Sequence, residues 1–375
     1  MPTIAKGLEG IIVDNTAISE VTSETSSLVY RGYPVHELAE QCTFEEVIYL
    51  LWYGELPNVE QLADFSSRTR EVRGISPDLL ATIRKFPKTA HPMDVIRTGV
   101  SWLGMEAKET IGLGTDVPRA QRVAIELLAK IPTIVASGVR ARQGKEPIGP
   151  TDDLTFSENF FRMCFGKVPD SQIVRAFDVS MILYAEHSFN ASTFAARVIA
   201  STLADIYSAV TGAIGALKGP LHGGANEAVM HMLIEIGDPS KAQAWVLDAL
   251  AQKKKIMGFG HRVYKKQDSR APTMDKYGRA LAQVKGETKW HAIADVIEKT
   301  MIEKKNIYPN TDYPSATAYY LMGFDIDLFT PLFVMARIAG WCAHIIEQMT
   351  SNRLIRPLSE YTGPKERHVL PLEQR

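Results

Sequence analysis

Apolar and polar positions alternate loosely over residues 10–33, in GIIVDNTAISEV and again in SSLVYRGY, which predicts one small β-hairpin. Beyond that stretch the 3.6-residue period dominates. FEEVIYLLWYG reads as a short helix ended by Gly54, and NVEQLADFSSRTREV as another after Pro57. HPMDVIRTGVSWLG places Pro92 near a first-turn position, where the N–H that proline lacks would have no helical partner anyway. The period continues through PRAQRVAIELLAKIPTIVASGVRARQ, DSQIVRAFDVSMILYAEH, NEAVMHMLIEIG, KAQAWVLDALAQKKK, TKWHAIADVIEKTMIEKK and DLFTPLFVMARIAGWCAHIIEQMT. The pattern predicts a mainly α fold.

The longest apolar run, Val198 to Leu217, is long enough to span a bilayer, yet it carries Asp205 and several Ser and Thr. An acid at mid-bilayer is costly and no companion segment exists, so a buried helix is expected. Glycine and proline concentrate at 212–224, 258–260 and 307–314. A chain of 375 residues is long for one core. Two units are therefore expected: residues 1–220 with 325–375 as a large helical domain, and 221–324 as a smaller one.

Composition narrows the function by exclusion. Lys+Arg number 42 against Asp+Glu 43, so no overall field favours nucleic acid or an anionic membrane. The three cysteines, Cys42, Cys164 and Cys342, are far apart and form no CxxC pair, which fits reduced core residues of a cytoplasmic protein and no metal site. MPTIAKGLEG has no basic segment followed by an apolar run, so no signal peptide is expected.

Three glycine- and proline-marked breaks carry polar residues that could do chemistry. In GPLHGGANE, His222 stands among glycines just ahead of a helical pattern. Positive potential at a helix N-terminus disfavours imidazole protonation, and a neutral imidazole can donate to an oxygen gaining negative charge. A capping turn histidine is the plainer reading. In QKKKIMGFGHRVYKKQDSR, His261 follows a glycine loop, with Lys253 to Lys255 before it and Arg270 nine residues after. That lysine triplet is either a solvated helix end or a holder for a phosphate-bearing ligand. In IYPNTDYPSATAYY, Asp312 lies between Pro309 and Pro314, as a turn aspartate or a general base. Arg337 lies in an apolar helix and needs an anion there, from the protein or from a substrate. Arg356 precedes Pro357, and His187 sits at a junction of two helical patterns. His36, His91, His231, His291, His344 and His368 have no such setting and are expected in core or surface roles.

Together GPLHGGANE, GFGHRVY with its later arginine, NTD ahead of the apolar helix bearing Arg337, and the late Arg-Pro resemble the citrate synthase family. YRGYPVHELAE and HPMDVIRTGVSWLG extend the resemblance over nearly the whole chain. It is nearest to the short members, which include 2-methylcitrate synthases and compact citrate synthases, and the extra N-terminal domain of larger NADH-regulated enzymes is not expected.

The resemblance implies a helical homodimer whose large and small domains close over an active site. It implies condensation of an acyl-CoA with oxaloacetate, then hydrolysis to a tricarboxylate and CoA, with no prosthetic group and no metal. His222, His261 and Asp312 would be catalytic. His187, Arg270 and Arg337 would bind oxaloacetate, Arg356 would reach the partner's site, and Arg68 is a further ligand-contact candidate. Leu221 and the segment Lys255, Ile256, Met257, Gly258 and Phe259 would face coenzyme A. The family's two substrates, acetyl-CoA and propionyl-CoA, differ by one methylene, worth only about 1–3 kcal/mol of discrimination. The reading leans to propionyl-CoA, hence 2-methylcitrate, with overlap onto acetyl-CoA; the Ser188 to Asn190 stretch is a departure that bears on this choice. Two other classes remain as alternatives: a two-histidine, one-carboxylate iron enzyme, and a non-catalytic helical scaffold.

Overall fold

A computed structural model describes residues 4–107, 116–261, 263–264 and 267–375. Its elements start with a small antiparallel sheet of β1 (Ser19–Thr22), β2 (Ser27–Tyr30) and β3 (Tyr33–Pro34), in that order. The expected hairpin is therefore β1 and β2, paired from Ser19↔Tyr30 to Thr22↔Ser27. A third strand follows because Arg31 and Gly32 both take positive φ, 49° and 89°, which turns the chain in two residues. Residues 10–18, expected in the hairpin, form no strand and instead run as an arm ahead of the sheet.

The large N-terminal group comprises α1 (Val35–Gln41), α2 (Phe44–Tyr53), α3 (Val59–Glu71), α4 (Pro77–Lys85), α5 (Pro92–Glu106), α6 (Val117–Arg142), α7 (Phe156–Phe165) and α8 (Ser171–Tyr184). The capping residues explain the starts. Thr43, Asn58 and Thr155 each form a capping box with the Glu or Gln three residues on.

The run expected as one buried helix is two, α9 (Ala191–Ser201) and α10 (Ile206–Leu217). Leu203 takes φ 69°, and Asp205 caps α10 by accepting the Ser208 N–H at 2.8 Å. The acid that argued against a membrane span thus marks a break, because its oxygen satisfies an N–H that the helix leaves orphaned.

Next come α11 (Ala225–Ile236), α12 (Pro239–Ala251), α13 (Ala271–Lys285), α14 (Lys289–Lys305) and α15 (Asp312–Met322). These five pack mainly on one another and meet the rest through α8 and α16 (Phe329–Thr350). Ile326–Thr350 is the one stretch among the described residues long and apolar enough to cross a membrane, and it runs buried through the core against α2, α6, α8, α9 and α10. After α16 the chain lies exposed and extended to its end, apart from one turn at Leu372–Gln374.

Candidate active site

Between the α11–α15 group and the rest lies a cavity of about 1050 Å³. His187, Leu221, His222, Lys255, Met257, Gly258, Phe259, His261, Arg270, Asp312 and Arg337 all line it. Ile256 turns instead into the apolar core, Arg68 lies on α3 beside Asp64 at 3.5 Å, and Arg356 sits on the exposed C-terminal stretch. These three do not line the cavity of their own chain. Arg262 of the GFGHRVY motif lies outside the described residues.

The glycines of GPLHGGANE have a geometric reason. Gly223 donates its N–H to the Leu217 carbonyl at 3.0 Å, and a Cβ there would collide with that oxygen and approach the Thr330 methyl to 3.0 Å. The loop can fold back on the end of α10 only without a side chain. It delivers His222 to the start of α9, where the Ser192 N–H donates to Nε2 at 3.2 Å and Ser192 Oγ lies 2.8 Å from it. A backbone N–H can only donate, so Nε2 is the accepting nitrogen and the ring proton sits on Nδ1. Burial, helped by the Arg337 charge, brings the His222 pKa down to about 4.

His261 is set by the same logic on another loop. Gly258 and Gly260 take φ 82° and 76°, and a Cβ on Gly258 would meet Val229 at 2.6 Å and Tyr313 at 2.9 Å. Gly260 donates to the Tyr308 carbonyl at 2.9 Å, while Asn310 donates its N–H to Gly258 O and its side-chain amide to Gly260 O, both at 2.9 Å. The loops bearing His261 and Asp312 are thereby zipped together. The N–H groups of Val263 and Tyr264 donate to His261 Nδ1 at 3.0 and 3.2 Å, which leaves the proton on Nε2. Burial and then Arg270 lower its pKa to about 4. The His187 ring lies 4.9 Å from that of His261, and burial first, then Arg270, keep it neutral; its Nε2 has no partner among the described residues.

Asp312, expected in a loop, is the first residue of α15. Pro314 does not break this helix because it lies in the first turn, where its N–H would find no helical acceptor. Asp312 keeps some surface open to the cavity, yet its crowding pushes the carboxyl pKa up to about 6, against the lowering effect of a hydrogen bond from Tyr184 and the charge of Arg270.

The two buried arginines are held differently. Arg270 is clamped by Asp268, Nε to Oδ1 at 3.0 Å and a terminal nitrogen to Oδ2 at 2.8 Å. Arg337 donates Nε to the Tyr184 carbonyl at 2.7 Å and lies 4.8 Å over the Phe333 ring, but among the described residues no ion pair joins it to a carboxylate and one terminal nitrogen has no partner. Burial lowers its pKa to about 10, with Glu186 opposing. Of the two anions that could balance it, the described protein carboxylates do not reach it.

Asp268, Tyr184 and Ser192 escaped sequence reasoning. Asp268 had a signal, since it lies two residues before Arg270, an arginine expected to bind oxaloacetate, and a carboxylate so close can hold a guanidinium in place. Tyr184 and Ser192 gave none. Arm residues Gly7 to Asp14 also line the cavity, and so does Phe189 of the divergent stretch, whose ring lies 4.5 Å under the Arg197 guanidinium.

The site therefore presents two imidazole N–H donors, one carboxylate and two guanidinium groups to one space. That set suits a small ligand with two carboxylates and a reaction that passes through an oxyanion. It does not suit the iron alternative. Nε2 of His222 and Nδ1 of His261 already accept backbone N–H groups, and no group of three His, Cys, Asp or Glu among the described residues is arranged to hold a metal.

A family profile described as "Citrate synthase, C-terminal domain" matches residues 7–358. A protein of Mycolicibacterium smegmatis named citrate synthase is 56% identical over 372 residues, covering 98% of each chain. A 2-methylcitrate synthase of Mycobacterium tuberculosis is 55% identical over 370 residues, 99% of this chain and 93% of its own. The crystal structure of citrate synthase from Thermotoga maritima MSB8 superposes with a TM-score of 0.90 at 41% identity, covering 100% of this chain and 99% of its own. The Thermoplasma acidophilum citrate synthase, solved as a ternary complex with carboxymethyl coenzyme A and oxaloacetate, superposes with a TM-score of 0.95 at 33% identity over the whole of both chains.

Proposed function

The chain belongs to the citrate synthase family, and we propose that it is a 2-methylcitrate synthase whose chemistry runs through His222, His261 and Asp312. The enzyme condenses an acyl-CoA with oxaloacetate. Asp312 takes a proton from the carbon beside the thioester carbonyl. The Nδ1–H of His222 holds the enolate oxygen that forms, an interaction worth roughly 10²–10³ in rate. The enolate carbon attacks the ketone of oxaloacetate, and the Nε2–H of His261 donates to the alkoxide that develops. Arg270 and Arg337 hold the two carboxylates, with His187 beside them. Water then cleaves the thioester, releasing CoA and the tricarboxylate, so turnover is in practice irreversible.

One observation carries this reading: Arg337 is buried, charged and in no ion pair with a carboxylate among the described residues, in the same cavity as the three catalytic candidates. Residues 221–324 act as the smaller domain, closing on 1–220 and 325–375, and Leu221, Lys255 and Met257 at the cavity wall receive coenzyme A. Two copies pair. Arg356 lies on an exposed stretch away from its own cavity, among exposed apolar side chains such as Leu354 and Leu358, and it completes the partner's site.

Propionyl-CoA is favoured by the relatives named 2-methylcitrate synthase at 55% and 52% identity. A second reading, preference for acetyl-CoA, is favoured by the 56% identical relative named citrate synthase. Thiol release measured with acetyl-, propionyl- and butyryl-CoA in the presence of oxaloacetate decides. A higher kcat/KM for propionyl-CoA supports the first reading, a higher value for acetyl-CoA the second, and release with none of them overturns both.

A further inference from the structure

The Tyr184 hydroxyl donates to Oδ1 of Asp312 at 2.7 Å. Tyr184 ends α8 and is fully buried, its ring 4.3 Å from that of Phe333 and 6.5 Å from that of Tyr319. Its own carbonyl is fixed by Arg337 at 2.7 Å. The phenol therefore has little freedom to turn elsewhere, and one oxygen of the carboxylate is occupied. This bond runs from α8 to the first residue of α15, across the boundary between the two groups of helices.

We propose that Tyr184 is a positioning residue for the condensation: its hydroxyl fixes Oδ1 of Asp312, leaving the other oxygen to meet the carbon acid, and does so only while α8 and α15 lie together. The proposal rests on Asp312 being the base. The charged groups around the pair are Arg270 and Asp268 ahead of α13, Arg337 on α16 and Glu186 just after α8, and the titratable groups held neutral there are His187 after α8, His261 on the zipped loop and Tyr319 on α15. Arg270 and Arg337 favour the ionised carboxyl and Asp268 opposes it, while the burial of Asp312 favours the neutral acid. A donor to the charged form tips that balance toward carboxylate. Burial keeps the phenol itself protonated, so it can only donate to this acceptor. Separating α8 from α15 would remove the donor and leave a carboxyl that is both loosely aimed and more readily protonated. The base would thus be competent in the closed arrangement and idle in the open one.

The test is Tyr184→Phe in the full chain, with kcat and kcat/KM for propionyl-CoA followed across pH, oxaloacetate affinity measured by calorimetry, and a melting curve as a fold check. The expected result is oxaloacetate affinity close to wild type, kcat at neutral pH lowered roughly 10- to 100-fold, within the range of a mispositioned base, and an acid limb moved up by about one pH unit. An acid limb that stays in place overturns the proposal, whether or not the rate falls. If Tyr184→Phe does not fold, 3-fluorotyrosine at the same position keeps the ring and is a stronger donor. The limb should then move down, and an unmoved limb is again fatal. Asp312→Asn, run alongside, separates the two ideas: near-normal turnover there removes the base itself, whereas loss of turnover with an unshifted Tyr184→Phe limb removes only the role of Tyr184.

Discussion

Asp268 grips Arg270 with both carboxylate oxygens, at 3.0 and 2.8 Å, and its Oδ2 also accepts the Thr311 N–H at 3.1 Å, next to Asp312. One buried acid thus aims a guanidinium and braces the turn that carries the carboxylate. Replacing it as Asp268→Asn leaves Arg270 buried without its charge partner, a loss of about 3–5 kcal/mol when a buried pair is broken on one side. The expected outcome is a clearly lower melting temperature, partly restored by saturating oxaloacetate, whose carboxylate can stand in. Melting with and without the ligand checks it.

Arg337 should behave in the opposite way. No carboxylate among the described residues forms an ion pair with it, and Glu186 offsets its charge only from a distance, so Arg337→Leu removes a costly buried charge and should leave the ligand-free protein about as stable as before. Oxaloacetate affinity should fall by about 3–5 kcal/mol, because the ligand's carboxylate is then buried unpaired. Calorimetry beside a melting curve reads both. Unchanged affinity would assign Arg337 a structural role.

His222 and His261 pull stability down on the acid side, while the raised native pKa values of Asp312 and Asp178 pull the other way, so the wild type and His222→Gln are read against each other. His222 and His261 have native pKa values of about 4, below the ordinary 6.5. Between those values the unfolded chain binds protons that the native site refuses, so their contribution to stability is full above about 6.5 and is lost as pH falls toward 4. Denaturant melts at pH 7 and pH 5 should show this, with a smaller drop in His222→Gln. In the proposed mechanism Asp312 acts as an ionised base, so kcat should decline as pH falls through about 6.

Gly223→Ala probes the close approach of its loop. The added methyl would meet the Leu217 carbonyl and the Thr330 methyl, so the loop must shift and take His222 with it. If His222 is the proposed oxyanion donor, a loss of kcat of at least about tenfold is expected, since a small displacement of such a donor is expensive, with oxaloacetate affinity less affected. Steady-state kinetics in both substrates separates the two.

Mixing inactive Arg356→Leu and His222→Gln chains tests whether each site draws on both copies. Partial recovery of activity among verified mixed dimers is expected, and no recovery indicates self-contained subunits.

How much of this was legible beforehand depends on which physics each residue obeys. His222 and His261 stood out because glycines mark places where backbone must approach something closely, and Gly223 and Gly258 do so. Arg337 stood out because a charge in an apolar helix is costly anywhere. Asp205 misled, since an acid inside an apolar run reads as a penalty until the chain is seen to break there and use it as a cap. Asp312 misled through Pro314, which looks like a breaker but lies where a helix tolerates proline. Tyr184 left no trace, because its partner lies 128 residues away and nothing local distinguishes it from an ordinary core aromatic.

The placement of Arg337 deep in α16 has one more consequence. That helix is enclosed on every side, so its amides should be among the last to exchange with solvent, whereas His261 sits on a glycine loop and Asp312 on the first turn of α15, where exchange should come sooner. In the proposed mechanism the ligand's anchor is then a fixed post and the proposed reacting groups lie on the sooner-opening side. On that reading, variation on the sooner-opening side would retune which thioester is accepted without loosening the grip on the keto acid.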